Sequence, residues 1–487
     1  MVKDKDVLKT SIIQGFGTLV VREFFLKILS FIGQIFLARL LAPSDFGVYV
    51  VIVFVVNFLS LFSDVGLSLA IIQKHEEPTK EELSGVFILK MILSLLVVTV
   101  VWIFAPLLKN FYPTFSVSNV LMLRMLSLII ITGSIRSIPI SLLERKLKYN
   151  LISIIDIIGV SIYYFISLFF AFMHFGAWSF ILGALCKEVG ETIVLYAIQP
   201  FIPQFSLFKA RIKHMIKFGI YIQGNGLVNV ITDSITPVIG GRTSGIYSVG
   251  LLDFAYNLGT LPETIAVNFG RVAFAGFSRI QKEKEILTNS ISRSMSMLAI
   301  ILYIFPVIIF GLGNELVPII FSAKWAAAIP ALYWYSAGSI FLPIISSLGQ
   351  GILVIGKSKE IFWATLTTVV TGWLIALVLI HFIGFVGIAV AYFFIVVSFC
   401  IFYLLILKRS DYNFPVVSIL RPKLLVALLS FLIILALNII LPHGVITLIV
   451  KLMVVTISYI LLTFIFVRKD AVEFSKIIIN WLLPKKI

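Results

Sequence analysis

The sequence predicts an all-α integral membrane protein of about fourteen transmembrane helices. Three observations carry that expectation. Apolar stretches of about 20 residues, each long enough to cross the hydrocarbon core as a helix, follow one another from near Ser11 to Val467 with short polar links between them. The composition is 60% hydrophobic and 13% charged with a mean hydropathy of +1.10, whereas about a quarter of the residues in soluble domains are charged. The net charge of +16 gathers in alternate links, as expected when anionic lipid and the membrane potential retain Lys and Arg on the cytoplasmic side. That placement also argues against nucleic acid as the partner of the basic charge.

The first span, about 14–38, follows the charged start Met1 to Lys9, and the lack of a small-residue cleavage site makes it an anchor and not a cleaved leader. Beyond the outward Arg39, Phe46-Gly47-Val48-Tyr49-Val50 opens the second span, about 47–71. Lys74 and Lys80 precede the third, about 85–107, and Lys109 separates it from the fourth, about 119–141, near whose end Arg136, Arg145, Lys146 and Lys148 cluster. The fifth and sixth, about 151–173 and 177–198, are joined by a very short outer link. Lys209, Arg211, Lys213 and Lys217 then lead into the seventh, about 215–239, and Arg242 separates it from the eighth, about 246–269. The longest polar link, about Arg271 to Arg293, precedes the ninth span at about 294–312. An outer link with Glu315 and Lys324 leads to the tenth, about 326–349. Lys357 and Lys359 precede the eleventh, about 361–380, which is followed by the twelfth, about 384–407. Lys408, Arg409, Arg421 and Lys423 introduce the thirteenth, about 424–441, and the fourteenth, about 446–467, runs into Arg468, Lys469 and Lys476. Both termini are thereby expected in the cytoplasm, with only Arg39, Lys109, Arg242 and Lys324 among the link cations outside. Trp102, Trp178 and Trp325 fall near outer span ends, where an interfacial aromatic belt belongs.

The basic link at Gln199 to Lys217 bisects the first twelve spans, and Ser244-Gly245-Ile246-Tyr247-Ser248 opens the eighth much as Phe46-Gly47-Val48-Tyr49-Val50 opens the second. An even number of spans per half makes the halves parallel repeats about a pseudo-twofold along the membrane normal. The expected organisation is a six-helix lobe at 1–208, a second at 209–410, and two further helices with a cytoplasmic tail at 411–487.

Several chemistries are excluded. Cys186 and Cys400 lie in different spans, which supports neither a disulfide framework nor a thiolate metal site. His75, His174, His214, His381 and His443 are scattered over loops and span ends without metal-ligand spacing. Gly351 to Ser358 matches the P-loop pattern, but spans flank it directly on both sides and no sheet domain is present to complete a nucleotide fold.

Ala38-Arg39-Leu40-Leu41-Ala42-Pro43-Ser44-Asp45-Phe46-Gly47, Ser63-Asp64-Val65-Gly66-Leu67, Gly245-Ile246-Tyr247 through Asn257-Leu258-Gly259-Thr260-Leu261-Pro262, Phe274 to Arg279, and Ala323-Lys324-Trp325 together carry a resemblance. In these the chain resembles the polysaccharide-transporter branch of the multidrug/oligosaccharidyl-lipid/polysaccharide flippase superfamily, nearest to exporters of the colanic-acid and teichuronic-acid type. The resemblance implies two six-helix lobes around a V-shaped cavity, two additional helices, and movement of an undecaprenyl-diphosphate-linked oligosaccharide from the inner to the outer leaflet. It also implies partners in the polymerase and glycosyltransferases of one pathway. Gly33-Gln34 stands where peptidoglycan lipid II flippases carry an Arg-Asp pair.

Passage of a sugar-diphosphate headgroup through hydrocarbon is costly, so a polar route with cations for the phosphates is needed. Ionisable residues inside spans are the candidates. In the first span Arg22, Glu23 and Lys27 lie at increasing depth. Glu23 and Lys27 have ion-pair spacing, and Arg22, which can snorkel inward, points about 140° away from Lys27. Lys90 and Arg124, each near a span end, are either snorkelling or headgroup ligands. Lys187 with Glu191 is either a structural pair or a ligand site, and Asp64 and Asp156 either cap or pair. Asn225, Asn229 and Asp233 repeat every four residues and form one polar stripe on the seventh span, suited to lining water; with Asp253, Asn257 and Glu263 on the eighth it offers amides for sugars and carboxylates for a proton or Na⁺, or else bonds between helices. The expected substrate-binding residues are therefore Arg22, Lys27, Lys90, Arg124, Lys187, Asn225, Asn229 and Asn257. Glu23, Asp64, Glu191, Asp233 and Asp253 are the candidates for coupling to Na⁺ or H⁺, and no metal or other cofactor is expected. A multidrug-type small-molecule antiporter is the alternative, although such antiporters usually have twelve helices. A membrane glycosyltransferase or polymerase would need a large outer loop rich in acids or arginines, and the longest here, Gly313 to Trp325, holds only Glu315 and Lys324.

Overall fold

A computed structural model describes residues 25–64, 66–73, 76–204, 230–232 and 234–482, and among them every regular element is a helix. The protein is a multi-pass membrane protein. It forms two compact units, Met1–Gly250 and Leu251–Ile487.

In the first unit, α1 (25–40) is followed by α2 (Pro43–Asp64), the short α3 (Leu67–Gln73) and α4 (Lys80–Phe104). Next come α5 (Val117–Ser127), α6 (Ile129–Arg145), α7 (Tyr149–Phe172) and α8 (Trp178–Ile198). The second expected span is thus interrupted, because Gly66 takes a left-handed φ of 69°, a conformation that ends helices. The start of α4 is set by Thr79, whose hydroxyl accepts from the Glu82 amide while the Glu82 carboxylate accepts from the Thr79 amide. α7 and α8 pack closely at Gly183, where an added Cβ would sit 2.0 Å from Ser167 Oγ and 2.9 Å from the Tyr163 carbonyl oxygen. α1 docks on α7 in the same way, with Gly33 buried against the Tyr164 ring.

Residues 235–250, counted from the sequence with the second lobe, belong to the first compact unit. Tyr112 donates to the Pro237 carbonyl at 3.0 Å, and Arg242 Nη1 donates to the carbonyls of Asn110 and Phe111 at 3.2 and 2.8 Å. A Cβ on Gly47 would lie 1.9 Å from the Ile246 oxygen, and one on Gly250 would lie 1.8 Å from the Pro43 oxygen. The two stretches noted above for their similarity are therefore in direct backbone contact.

In the second unit the spans are repeatedly broken by proline, whose missing N–H removes a rung of the helical ladder. α9 (Gly245–Gly259) gives way at Thr260 to α10 (Leu261–Arg279), which has Pro262 in its first turn. α11 (Lys284–Leu302) and α12 (Ile304–Leu316) meet at Tyr303, just before Pro306. α13 (Ile329–Ser339) and α14 (Leu342–Val354), the latter with Pro343 in its first turn, are bent by 44°. α15 (Ser358–Ile383), α16 (Val386–Lys408), α17 (Val416–Ile440) and α18 (Val445–Phe466) are long and continuous, and α19 (Arg468–Leu482) ends the described chain.

Two expectations about links are corrected. The polar segment at 271–293 is mostly helix, since α10 and α11 leave only Ile280 to Glu283 between them; charged residues extend both helices past the apolar zone that hydropathy registers. The segment after Val467 was expected as a tail but forms α19, because its charges interrupt hydropathy without interrupting helix propensity. Among the described residues nine helices are long and apolar enough to cross a membrane, ten with the bent α13–α14 pair, against about fourteen expected. The others correspond to the first span, described only from residue 25; the sixth, which carries Lys187, Glu188 and Glu191; the seventh, largely outside the described residues; and the eighth, broken at Thr260.

Candidate functional site

Arg22, Glu23, Asn225, Asn229 and Asp233 lie outside the described residues. The remaining candidates divide between the two units.

In the first unit, Lys90 is buried on α4, with its ammonium 2.6 Å from Asp64 Oδ1 and 2.7 Å from Ser68 Oγ, and Ser68 in turn donates to Asp64 at 3.1 Å. The end of α2 and the start of α3 supply these oxygens from either side of the break at Gly66. Across the unit, Arg136 Nη1 reaches Glu188 and Glu191 at 2.6 Å each, and Lys187 lies 3.9 Å from Glu191. Two cations thus face two carboxylates, with Asp156 close enough to act on both Glu144 and Glu191. Arg136 was read from sequence only as an inner-end cation; its span position was visible, but its partners sit on another helix.

Arg124 is half-buried and held by main chain. Its Nε donates to the Trp102 carbonyl at 3.0 Å, and Trp102 Nε1 donates to the Arg124 carbonyl at 3.1 Å. The first of these carbonyls lacks its ordinary helical donor because the residue four positions on is Pro106. The second lacks it because the Leu128 amide turns to Met125 and Leu126 at the α5–α6 junction. Lys27 stands on an exposed side of α1.

In the second unit, Asp253 is half-buried on α9 and hydrogen-bonds to the exposed Asn257 one turn later. Beside them three tyrosines meet edge to face: Tyr256 with Tyr335 at 5.3 Å between centroids, Tyr256 with Tyr392 at 5.7 Å, and Tyr335 with Tyr392 at 5.1 Å. Gly259 and Gly338 permit this by letting backbone come within contact of Tyr335 and Tyr392, and Glu263 lies near Tyr392. This group of carboxylates, an amide and phenols is suited to sugar hydroxyls. Its tyrosines come from three helices, and single-sequence spacing could not bring them together.

A second buried pair was also missed. Lys451 on α18 is fully buried with its ammonium 2.7 Å from Glu315 Oε2 on α12, and Glu315 accepts as well from the Gly444 amide at 3.2 Å. Lys451 lies inside an apolar span, and Glu315 was assigned to an outer link.

The family described as "Polysaccharide biosynthesis protein" matches residues 36–330, more than half of the chain. The chain belongs to this family. Its relatives include the succinoglycan biosynthesis transport protein ExoT of Rhizobium meliloti, 24% identical over 70% of this chain and 69% of that protein. The teichuronic acid biosynthesis protein TuaB of Bacillus subtilis is 22% identical over 63% of each chain. Among solved structures, the lipid II flippase MurJ in an inward closed conformation superposes with a TM-score of 0.74 at 17% identity, covering 92% of this chain and 98% of that one. The fold is therefore that of the lipid II flippase structure, as the sequence resemblance implied. In this member of the polysaccharide biosynthesis family, Gly33 has no space for a longer side chain, since even a Cβ would lie 2.1 Å from the Tyr164 ring.

Proposed function

We propose that this protein is a secondary flippase that carries a polyprenyl-diphosphate-linked oligosaccharide from the inner to the outer leaflet for polysaccharide biosynthesis. The observation that supports this most directly is membership of the polysaccharide biosynthesis family across residues 36–330. The charge pattern supports insertion in the cell membrane with both termini cytoplasmic. Undecaprenyl diphosphate is the proposed carrier, with membrane lipids as surroundings and the polymerase and glycosyltransferases of the same pathway as functional neighbours.

In this reading the six-helix lobes at 1–208 and 209–410 alternate access, and 411–487 adds two helices. Arg22, Lys27, Lys90, Arg124 and Lys187 meet the diphosphate, while Asn225, Asn229 and Asn257 meet sugar hydroxyls. The pairing of Lys90 with Asp64 and of Lys187 with Glu191 gives coupling a physical form. A proton or Na⁺ taken up by the carboxylate releases the ammonium to the anionic cargo, and loss of the ion draws it back. Glu23, Asp233 and Asp253 are further ion acceptors in this scheme. The protein itself makes and breaks no covalent bond.

The test is reconstitution of the full chain in liposomes with a fluorescent undecaprenyl-diphosphate oligosaccharide in both leaflets, followed by a membrane-impermeant quencher. A wild-type-dependent rise in the rapidly quenchable fraction after an imposed gradient is expected. Correctly inserted protein that moves no lipid-linked glycan but exports a cationic dye would establish the antiporter instead.

A further inference from the structure

Helices α11, α17 and α19 of the second unit surround an open cavity of about 1050 Å³. Five cations line it, Arg293, Lys423, Arg468, Lys469 and Lys476, against two carboxylates. Both carboxylates are engaged: Asp470 lies 2.6 Å from Lys423 and accepts from Ser296, and Glu473 pairs with Arg293. Arg468, Lys469 and Lys476 are exposed and have no ion-pair partner among the described residues. The cavity therefore carries an excess of positive charge on side chains free to take an anion.

Its position narrows the choice of anion. α18 ends at Phe466 and α19 begins at Arg468, so the cations stand where the chain leaves the hydrocarbon. Along α19 the charges at 469, 473 and 476 recur at intervals of four and three, on one face. Ala471 and Phe474 lie on the other, with Ala471 buried against the bundle. The charged face is thereby turned outward at the end of a span, the depth at which lipid phosphates lie.

We infer that this groove holds the phosphate headgroup of an anionic membrane phospholipid, with α19 lying along the interface beside it. With the proposed orientation, the groove faces the cytoplasmic leaflet, whose surface potential is negative. Lys423 and Arg293, held by their carboxylates, shape the walls, and Arg468, Lys469 and Lys476 provide the charge.

The full chain, purified in a neutral detergent, is melted with added phosphatidylglycerol, phosphatidylcholine or inorganic pyrophosphate. Phosphatidylglycerol is expected to raise the melting temperature by several degrees and the other two to leave it in place. The combined variant Arg468→Gln, Lys469→Gln and Lys476→Gln should lose most of that shift while melting like the wild type in phosphatidylcholine. The control Lys408→Gln with Arg409→Gln should keep it. Equal shifts with both phospholipids, an undiminished shift in the triple variant, or an equal loss in the control would overturn the assignment; a shift with pyrophosphate alone would identify a site for free anions. Micelles have no leaflets, so these outcomes do not depend on the orientation of the protein or on its transport activity.

Discussion

Arg124 and Trp102 hold each other through two reciprocal hydrogen bonds, each side chain donating to the other's backbone carbonyl. Pro106 leaves the Trp102 carbonyl without its helical donor, whereas the Arg124 carbonyl, freed at the α5–α6 junction, also accepts from the Ser127 hydroxyl at 2.6 Å. The Arg124 side chain thus closes the gap that Pro106 opens in the backbone ladder.

Arg124→Ala should therefore destabilise the protein by about 1–3 kcal/mol, the cost of stranding a carbonyl and losing a charge-assisted bond. Thermal unfolding in detergent measures this directly. An unchanged melting temperature would refute this structural role, and the proposed contact with the headgroup is read separately, as glycan transport per folded molecule.

Lys90 and Asp64 form an unequal pair, since the ammonium is buried while 41% of the carboxylate side chain is exposed. Asp64→Asn leaves the buried charge without its partner and should cost about 1–3 kcal/mol, less than for a fully enclosed pair because solvent reaches the carboxylate. The double variant Asp64→Asn with Lys90→Met should recover most of that loss in unfolding experiments, yet transport should remain abolished. Transport at wild-type rates in the double variant would remove this pair from the coupling scheme.

Gly47→Ala would push a methyl against the Ile246 carbonyl, which is backbone and cannot swing aside. A loss of about 1–3 kcal/mol or more is expected, seen as lower yield of folded protein and a lower melting temperature. Gly133→Ala meets nothing within 4 Å and should be neutral in the same measurements.

Burial alone would raise the Asp470 carboxyl, but hydrogen bonds from Lys423 and Ser296, together with the Lys423 and Lys469 charges, outweigh it and hold the group below the ordinary carboxylate value. A carboxylate with a lowered folded value stabilises α19 fully at pH values above its unfolded value, about 4, and that contribution is lost as pH falls through the lower folded value. A spin label at Ser475→Cys, in a background with Cys186 and Cys400 replaced, should therefore report a docked helix at pH 7 and pH 5, and release only below about pH 4. Asp470→Asn should weaken docking already at neutral pH.

The long spans were legible because hydropathy sums over a whole crossing, so α4, α7 and α15 to α18 lie close to their expected positions. The breaks were not, because each depends on one residue, Gly66, Pro262, Pro306 or Pro343, within a segment whose average stays apolar. The Lys187–Glu191 approach could be read from its spacing along one helix. Lys90–Asp64, Arg136–Glu188 and Lys451–Glu315 could not, since each joins different helices and neither partner signals the other in the sequence. The similarity of the Gly47 and Gly245 stretches was visible, whereas their contact through Gly47 and Gly250 depends on how the backbone folds back.

The charge pairing inside the helices has an electrical consequence. Lys90 with Asp64, Arg136 and Lys187 with Glu188 and Glu191, and Lys451 with Glu315 each sum to zero charge when ionised. Displacing such dipoles through the transmembrane field does little work, whereas a lone charge moved the full distance exchanges about 2.3 kcal/mol per 100 mV. These three groups therefore add little to the voltage dependence of turnover, whose slope counts the charge of the travelling diphosphate, its accompanying ions and cations such as Arg124 that face main chain.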